Sequence, residues 1–294
     1  MNPSSFLSRL QSKTVLVADG ATGTNLQMRG LPRGMASDVW VLENPEAVMA
    51  LHTDFILAGC DIILTDTFGA TTLRLEHAGL QDRADLINRK AVELAKQAAS
   101  GREVLVAGSI GPTGQMIQPL GPLSEADAEA AFLRQARVLA EAGVDLFVIE
   151  TQFDLTEAKA ALRAAQTAAP DTTVVCSFSY DRGTRTMMGL RPTQVGKELC
   201  DLGVSLIGIN CGRSLEDNLK CLRELRAATD LPIWFKPNAG LPRTEGGQVF
   251  YDVTPERMGA QVAAWVAEGA SVVGGCCGTS PAHLAEIARA ARAL

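Results

Sequence analysis

Short runs of aliphatic and β-branched residues alternate along the chain with longer segments in which apolar residues recur every three to four positions. The short runs are typical of buried β-strands, and the longer segments have the period of amphipathic helices. Such an alternation predicts repeated strand–helix units and a parallel sheet. The eight predicted strands span residues 14–18, 61–65, 103–107, 145–149, 173–178, 205–209, 232–235 and 271–273.

The helices between these strands carry recognisable start and stop signals. Ser124 precedes an acidic first turn and an alanine-rich amphipathic stretch, and Thr254 precedes a proline at the first helical position. A glycine stands just before several strands, where a left-handed helix cap is needed. These glycines are Gly59, Gly143, Gly203 and Gly269.

Eight strand–helix units in a chain of 294 residues predict a (β/α)8 TIM barrel that forms a single domain over residues 1–294. A doubly wound open sheet is the alternative fold. No linker, charge run or low-complexity segment marks a second domain.

Composition and charge narrow the functional classes. Hydrophobic residues make up 47% of the chain, enough for a sizeable core, and no apolar run reaches the length of a membrane span. A net charge of -6 argues against a nucleic-acid partner, because phosphate binding depends on clustered lysine and arginine. Residues 1–13 lack the apolar stretch of a signal peptide and read as a short amphipathic lead-in. We therefore expect a soluble cytoplasmic protein.

The unusual motifs of the chain follow the predicted strands, and barrel enzymes place their active sites at the C-terminal ends of strands. Most of these motifs combine glycine with polar residues. They occupy residues 19–24, 65–70, 108–114, 150–151, 210–212, 236–240 and 274–279.

Three cysteines in glycine-framed loops suggest a zinc site at this rim. Cys211 follows the sixth strand, and the adjacent Cys276 and Cys277 follow the eighth. A disulfide is the weaker reading, because adjacent cysteines do not easily bond and cytosolic thiols stay reduced. Three thiolates are one short of the four ligands of a closed structural zinc site, so a fourth position is left for water or substrate. A structural or adventitious metal site is the alternative.

The chain resembles the zinc-dependent homocysteine S-methyltransferases from about Val15 onwards. The order of its motifs carries the resemblance, together with the three cysteines. It is most similar to the betaine-homocysteine methyltransferases and to the homocysteine module of cobalamin-dependent methionine synthase. The motifs are DGATGT at 19–24, TDTFGATTLRL at 65–75, GSIGPTG at 108–114, NCG at 210–212, KPNAG at 236–240 and GGCCGT at 274–279.

The resemblance implies a mechanism and a set of roles. Zn²⁺ held by Cys211, Cys276 and Cys277 would keep the homocysteine sulfur as a thiolate, which then attacks a methyl carbon in line. By the resemblance, the homocysteine ammonium is held by Asp19 and Glu150, and its carboxylate by Ala21 and Thr67, largely through backbone groups. Asn210 and Asn238 are candidates to orient the ligands.

Structural roles compete with some of these assignments. Asp19 could satisfy backbone amides in a turn, whereas a carboxylate such as Glu150 at the end of an apolar strand is harder to explain as structure. The other four cysteines read as ordinary buried thiols, and the three histidines fall in or beside helices, away from the strand ends. These residues are Cys60, Cys176, Cys200, Cys221, His52, His77 and His283.

The methyl donor is predicted to be a small onium compound, with glycine betaine preferred and S-methylmethionine as an alternative. Onium groups bind to aromatic cages, for which the candidates are Trp40, Phe68, Phe153 and Trp234. Asp66 stands where methionine synthase modules usually have asparagine, and it could face the onium charge.

Other functions stay open on the sequence. The chain could take methyl from a separate corrinoid protein, or bind homocysteine as a sensor without turnover. A corrinoid partner predicts an exposed apolar rim around the barrel mouth. A homo-oligomer is also left open.

Overall fold

The protein is built around eight parallel β-strands that close into a barrel. A computed structural model describes residues 6–12, 15–245 and 248–294. The strands are β1 (Leu16–Val17), β2 (Ile62–Leu64), β3 (Leu105–Ile110), β4 (Leu146–Gln152), β5 (Thr173–Phe178), β6 (Leu206–Cys211), β7 (Ile233–Pro237), the hairpin strands β8 (Arg243–Glu245) and β9 (Gln248–Phe250), and β10 (Ala270–Val273). In the barrel, neighbouring strands follow the order β1-β10-β7-β6-β5-β4-β3-β2.

Pairing between β1 and β2 closes the barrel. A parallel bridge joins Ala18 to Ile62, and the Asp61 amide donates to the Val17 carbonyl at 2.7 Å. An open doubly wound sheet would leave its outermost strands unpaired, so the predicted TIM barrel is confirmed and the alternative is wrong.

Helices surround the barrel and connect its strands. The described residues form α1 (Phe6–Ser12), α2 (Thr22–Met28), α3 (Trp40–Glu43), α4 (Pro45–Leu57), α5 (Thr72–Leu75), α6 (Ala84–Ala99), α7 (Glu125–Ala142), α8 (Leu155–Ala168), α9 (Pro192–Cys200), α10 (Leu215–Arg226), α11 (Pro255–Gly259), α12 (Val262–Ala267) and α13 (Pro281–Ala291). Short 3-10 helices span Ser37–Val39, Glu76–Ala78 and Gln81–Arg83. None of the helices in these described ranges is long and apolar enough to cross a bilayer.

The predicted helix caps are present. The Ser124 side chain accepts a hydrogen bond from the Asp127 amide at the start of α7, and Gly143 ends that helix with φ of 86°. Thr254 caps α11 in the same way through the Arg257 amide. These local signals explain why the helix starts and stops could be read from the sequence.

Four strands extend further toward the active-site rim than the sequence predicts. β3 continues to Ile110, β4 to Gln152, β6 to Cys211 and β7 to Pro237. Polar residues occupy these extensions, so a prediction based on apolar runs ends each strand too early. The backbone still pairs there, because ladder hydrogen bonds do not depend on the side chain. The start of the predicted first strand, at residue 14, lies outside the described residues.

Alternation along the strands divides the core into two layers. Leu16, Leu105 and Val148 belong to the cluster inside the barrel, and their strand neighbours face the surrounding helices. Phe6 of α1 joins the inner cluster and is 2% exposed, so this short helix plugs the barrel. Trp234 is fully buried in the same inner cluster.

His52 of α4 is a buried histidine without hydrogen bonds. Neither ring nitrogen has a partner among the described residues, and the residue is 1% exposed. Burial lowers the pKa of His52 to about 4, although the negative charge of Asp19 opposes this. In the unfolded chain the same imidazole titrates near pH 6.5.

We expect the His52→Leu variant to gain stability over the wild type as the pH falls from 6.5 to 4. The folded-state pKa is depressed, so stability is fully present above pH 6.5 and is lost toward pH 4 as the unfolded chain binds the proton. The difference should approach about 3 kcal/mol at pH 4. Urea unfolding at several pH values measures it. The exposed His77→Leu serves as control, and a pH-independent difference would contradict the assignment.

Candidate active site

A cavity opens at the C-terminal ends of the strands, where the sequence motifs converge. Its volume is about 270 Å³. The lining residues are Asp19, Gly20, Ala21, Thr22, Gly23, Thr24, Ser37, Leu64, Thr65, Asp66, Phe68, Ser109, Glu150, Thr151, Cys211, Lys236, Gly275, Cys276 and Cys277.

The three predicted cysteines meet at one side of this cavity. β7 pairs with β6 on one side and with β10 on the other, which brings Cys211 next to Cys276 and Cys277. Their three sulfurs lie within 4.8 Å of one another, and those of Cys211 and Cys276 are 3.0 Å apart. All three are free thiols and partly exposed. Among the described residues, these three cysteines form the one group of three or more histidine, cysteine or acidic side chains that are close enough together to hold a metal ion.

The donor set fits a zinc ion. Hydrogen bonds between the thiols raise the pKa of Cys211 and lower that of Cys277, so the cluster shares its protons. A divalent cation would displace those protons, because thiolates are the binding form. Three sulfurs leave one position of a tetrahedron for a further ligand.

The remaining cysteines lie away from the cluster. Cys60, Cys176 and Cys221 are buried in the apolar core, and Cys200 is partly exposed at the end of α9. Cys200 contacts the Thr229 hydroxyl at 3.0 Å.

Asn210 connects the cysteine cluster to the end of β4. Its Nδ2 donates to Thr151 Oγ1 at 2.7 Å and lies 3.4 Å from the sulfur of Cys211. Its Oδ1 accepts from the Thr151 amide at 2.9 Å and from Ser177 Oγ at 2.7 Å. Both polar atoms of the Asn210 side chain, Nδ2 and Oδ1, are therefore hydrogen-bonded at the site.

Two of the residues that Asn210 contacts have unusual backbone conformations. Thr151 and Cys211 both have φ of 59°, in the left-handed region that side chains other than glycine rarely adopt. For β-branched Thr151 this conformation is costly and persists only where the surroundings impose it. Two hydrogen bonds hold Thr151 in this position: Asn210 Nδ2 donates to its hydroxyl, and its amide donates to Asn210 Oδ1.

Backbone hydrogen bonds fix the loop that carries Cys276 and Cys277. The Cys276 amide donates to Pro237 O at 2.9 Å, and the Ala239 amide donates to Cys277 O at 2.9 Å. Gly278 has φ of 80° and packs under the ring of Tyr251, where any Cβ would clash. Gly278 is thus required by the turn.

A buried ion pair forms the floor of the cavity. Lys236 Nζ lies 2.6 Å from Asp19 Oδ1, and the two side chains are 3% and 1% exposed. Asp19 Oδ2 accepts from the Leu64 amide at 2.7 Å. The sequence motifs alone did not indicate a role for Lys236. A charged side chain at the end of an apolar strand could have indicated one, as it did for Glu150.

Glu150 stands beside this pair at the end of β4. It is 8% exposed, and its Oε1 accepts from Ser109 Oγ at 2.6 Å. Burial raises the pKa of Glu150 to about 7, against the opposing positive charge of Lys236. The floor thus combines two carboxylates with one lysine.

The other predicted substrate residues divide into two groups. Ala21 lines the cavity, and its amide donates to Thr279 O at 3.3 Å and to Thr279 Oγ1 at 3.2 Å. Thr67 is fully buried, donates to Ser109 O at 2.7 Å and lies outside the cavity lining. Asn238 lies behind the cysteines, where its Nδ2 donates to Gly212 O at 2.8 Å.

The predicted aromatic cage is not assembled at this cavity. Of the four candidates only Phe68 lines it. Trp40 is buried in the outer core layer, Trp234 lies inside the barrel, and Phe153 is partly exposed outside the lining.

Comparison with known proteins was consistent with the sequence motifs. Residues 16–291 match the homocysteine S-methyltransferase family. The chain is 33% identical over 297 aligned residues to methionine synthase from Mycobacterium tuberculosis and 31% identical to that from Mycobacterium leprae. Each alignment covers 95% of this chain. The chain spans about a quarter of the length of these relatives, 25% and 24%.

Solved structures agree with the fold. The metallated form of the homocysteine methyltransferase MmuM from Escherichia coli superposes with a TM-score of 0.82 at 28% identity, covering 96% of this chain and 98% of that one. Its apo form gives a TM-score of 0.75 at 27% identity, covering 96% and 97%. The family predicted from the motifs is confirmed: the chain belongs to the homocysteine S-methyltransferase family.

Proposed function

We propose that this protein is a zinc-dependent methyltransferase that makes methionine by moving a methyl group from a small onium donor to homocysteine. The observation that carries the proposal is the cluster of three sulfurs within 4.8 Å at the wall of the cavity. Glycine betaine is the preferred donor. Membership of the family supports the acceptor, and the metallated relative supports a metal at the cysteines.

Cys211, Cys276 and Cys277 would hold Zn²⁺, which supplies the Lewis acidity that keeps a substrate thiol deprotonated near neutral pH. Three thiolates around a divalent cation leave a net negative site, which favours a nucleophilic sulfur. In the transfer a sulfur–carbon bond forms as the onium–methyl bond breaks. The bonding electron pair leaves with the donor heteroatom, which becomes a neutral amine or sulfide.

The floor of the cavity would orient homocysteine. We assign its ammonium to Glu150 and Asp19, with Lys236 holding Asp19 in place through the 2.6 Å ion pair. Ala21 would meet the carboxylate through backbone groups, and Thr67 and Asn238 would act from behind by fixing the rim. Such positioning lowers the entropic part of the barrier.

A corrinoid protein is the second candidate donor. Similarity to methionine synthases, of which this chain spans about a quarter, favours it. On this alternative the barrel would be one component of a larger system and would be inactive with onium compounds.

Methionine formation by the zinc-loaded protein tests the proposal. The panel comprises homocysteine with glycine betaine, S-methylmethionine, S-adenosylmethionine or methylcobalamin. We expect turnover with an onium donor that falls to background in Cys276→Ala, because two thiolates no longer complete the ligand set. Cys200→Ser, which replaces a thiol outside the cluster, should keep full activity. Turnover with methylcobalamin alone would favour the corrinoid candidate, and none with any donor would contradict the proposal.

Asn210→Asp should weaken zinc binding by roughly 10–100-fold, because it replaces an N–H donor beside the Cys211 sulfur with a negative carboxylate. The zinc retained after dialysis against a competing chelator measures the effect without turnover. Asn88→Asp is the matched control, since Asn88 is equally buried but bonds to Ala70 and Ala84 carbonyls. Equal zinc retention in both variants would refute the role of Asn210.

A further inference from the structure

A second acidic group lies in the cavity wall, separate from the floor. Asp66 follows β2 and lines the cavity, and Asp38 comes from the 3-10 helix Ser37–Val39. The two residues are 2% and 3% exposed. Buried carboxylates require partners, because removal from water strongly disfavours the charged form.

Hydrogen bonds satisfy only some of the carboxylate oxygens of Asp66 and Asp38. Ser37 Oγ donates to Asp66 Oδ1 at 2.6 Å, and the Gly69 amide donates to Asp38 Oδ1 at 2.9 Å. Asp66 Oδ2 is buried and has no hydrogen-bond partner among the described residues. A cavity-lining carboxylate is therefore left with one unsatisfied oxygen.

The two carboxylates also repel one another. Burial, together with the negative charge of Asp38, raises the pKa of Asp66 to about 8. Burial raises the pKa of Asp38 to about 6, against the hydrogen bond from the Gly69 amide and the positive charge of Arg74. Two like charges in one buried site are stable only if the pair retains a proton or acquires a cation.

We propose that Asp66, supported by Asp38, binds the positive charge of the methyl donor. This inference rests on the proposed function and identifies the donor as a methyl-bearing sulfonium or quaternary ammonium ion. The acceptor thiol would then bind at the cysteine side of the cavity, and the cationic group of the donor would bind beside Asp66.

The surroundings of Asp66 favour an onium ion over a metal. An onium ion has no N–H groups to satisfy, so one unpaired oxygen can attract it without fixed hydrogen-bond geometry. Phe68 lines the same cavity, and its ring already carries a cation, since the Arg74 guanidinium carbon lies 5.5 Å from the ring centroid. Among the described residues, Asp38 and Asp66 do not belong to any group of three or more side chains with metal-ligand spacing.

The chemistry gives this subsite a specific kinetic signature. The onium charge disappears when the methyl group leaves, so a carboxylate stabilises the bound donor at least as well as the transition state. Loss of the Asp66 charge should therefore raise the KM of the donor while kcat stays unchanged or rises. A residue that only supported the fold would not produce this division.

The experiment uses the zinc-loaded protein and tetramethylammonium as the probe, with sodium at equal ionic strength as reference. Isothermal titration calorimetry compares the wild type with Asp66→Asn, which keeps an acceptor for Ser37. We expect at least tenfold weaker binding in Asp66→Asn. Thermal stability should not fall, because the substitution removes a repulsion. Asp38→Asn, which keeps an acceptor for Gly69, should weaken binding in the same direction and provides a second test.

Glu157→Gln is the matched control. Glu157 is a carboxylate, 1% exposed, that bonds to Thr113 and lies outside the cavity lining. Its neutralisation should leave tetramethylammonium binding unchanged. Equal binding in wild type and Asp66→Asn would overturn the inference, as would an equal loss in Glu157→Gln.

The two proposals fail in different ways. If the wild type forms no methionine but binds tetramethylammonium through Asp66, the proposed function fails and the cation subsite stands. If methionine forms with the same donor KM in wild type and Asp66→Asn, the subsite fails and the methyltransferase stands.

Discussion

The active site depends on the closure of a parallel barrel, which places every strand end on one rim. β7 pairs with β6 and β10 at the same time, so Cys211 meets two cysteines more than sixty residues further along the chain. The thiol cluster and the ion pair beneath it form among the neighbouring strands β1, β10, β7 and β6, and the bridge between Ala18 and Ile62 brings the end of β2 to the same rim. The barrel is thus the scaffold that makes a three-sulfur site from distant segments.

The cost of that arrangement is concentrated at a few residues of the rim. Cys211 and Thr151 adopt left-handed conformations, and the Asn210 side chain is hydrogen-bonded to the amide and the hydroxyl of Thr151. Lys236 is buried deep enough that it requires Asp19 as its partner. Buried polar groups of this kind are satisfied by one another, so a change at one of them is expected to disturb its neighbours.

Charge is distributed unevenly around the cavity. Lys236 compensates the carboxylates of the floor, whereas Asp66 and Asp38 form an acidic wall in which Asp66 Oδ2 has no hydrogen-bond partner within the described part of the chain. An asymmetry of this kind suits two substrates of different charge. On the proposals made above, an amino acid thiol would bind at the mixed floor and a cationic methyl donor would bind beside the acidic wall.

The sequence by itself determined the barrel, the family motifs and the identity of the three clustered cysteines, because periodicity, helix caps and residue chemistry are local properties. It also placed Asp19, Glu150 and Ala21 at strand ends, and these residues line the cavity. Only the tertiary structure revealed that Asp19 pairs with Lys236, that Trp234 faces the barrel interior, and that Asp38 stands behind Asp66. Those relationships join residues from different strands and loops, so they depend on sheet order and side-chain direction, which no local pattern encodes.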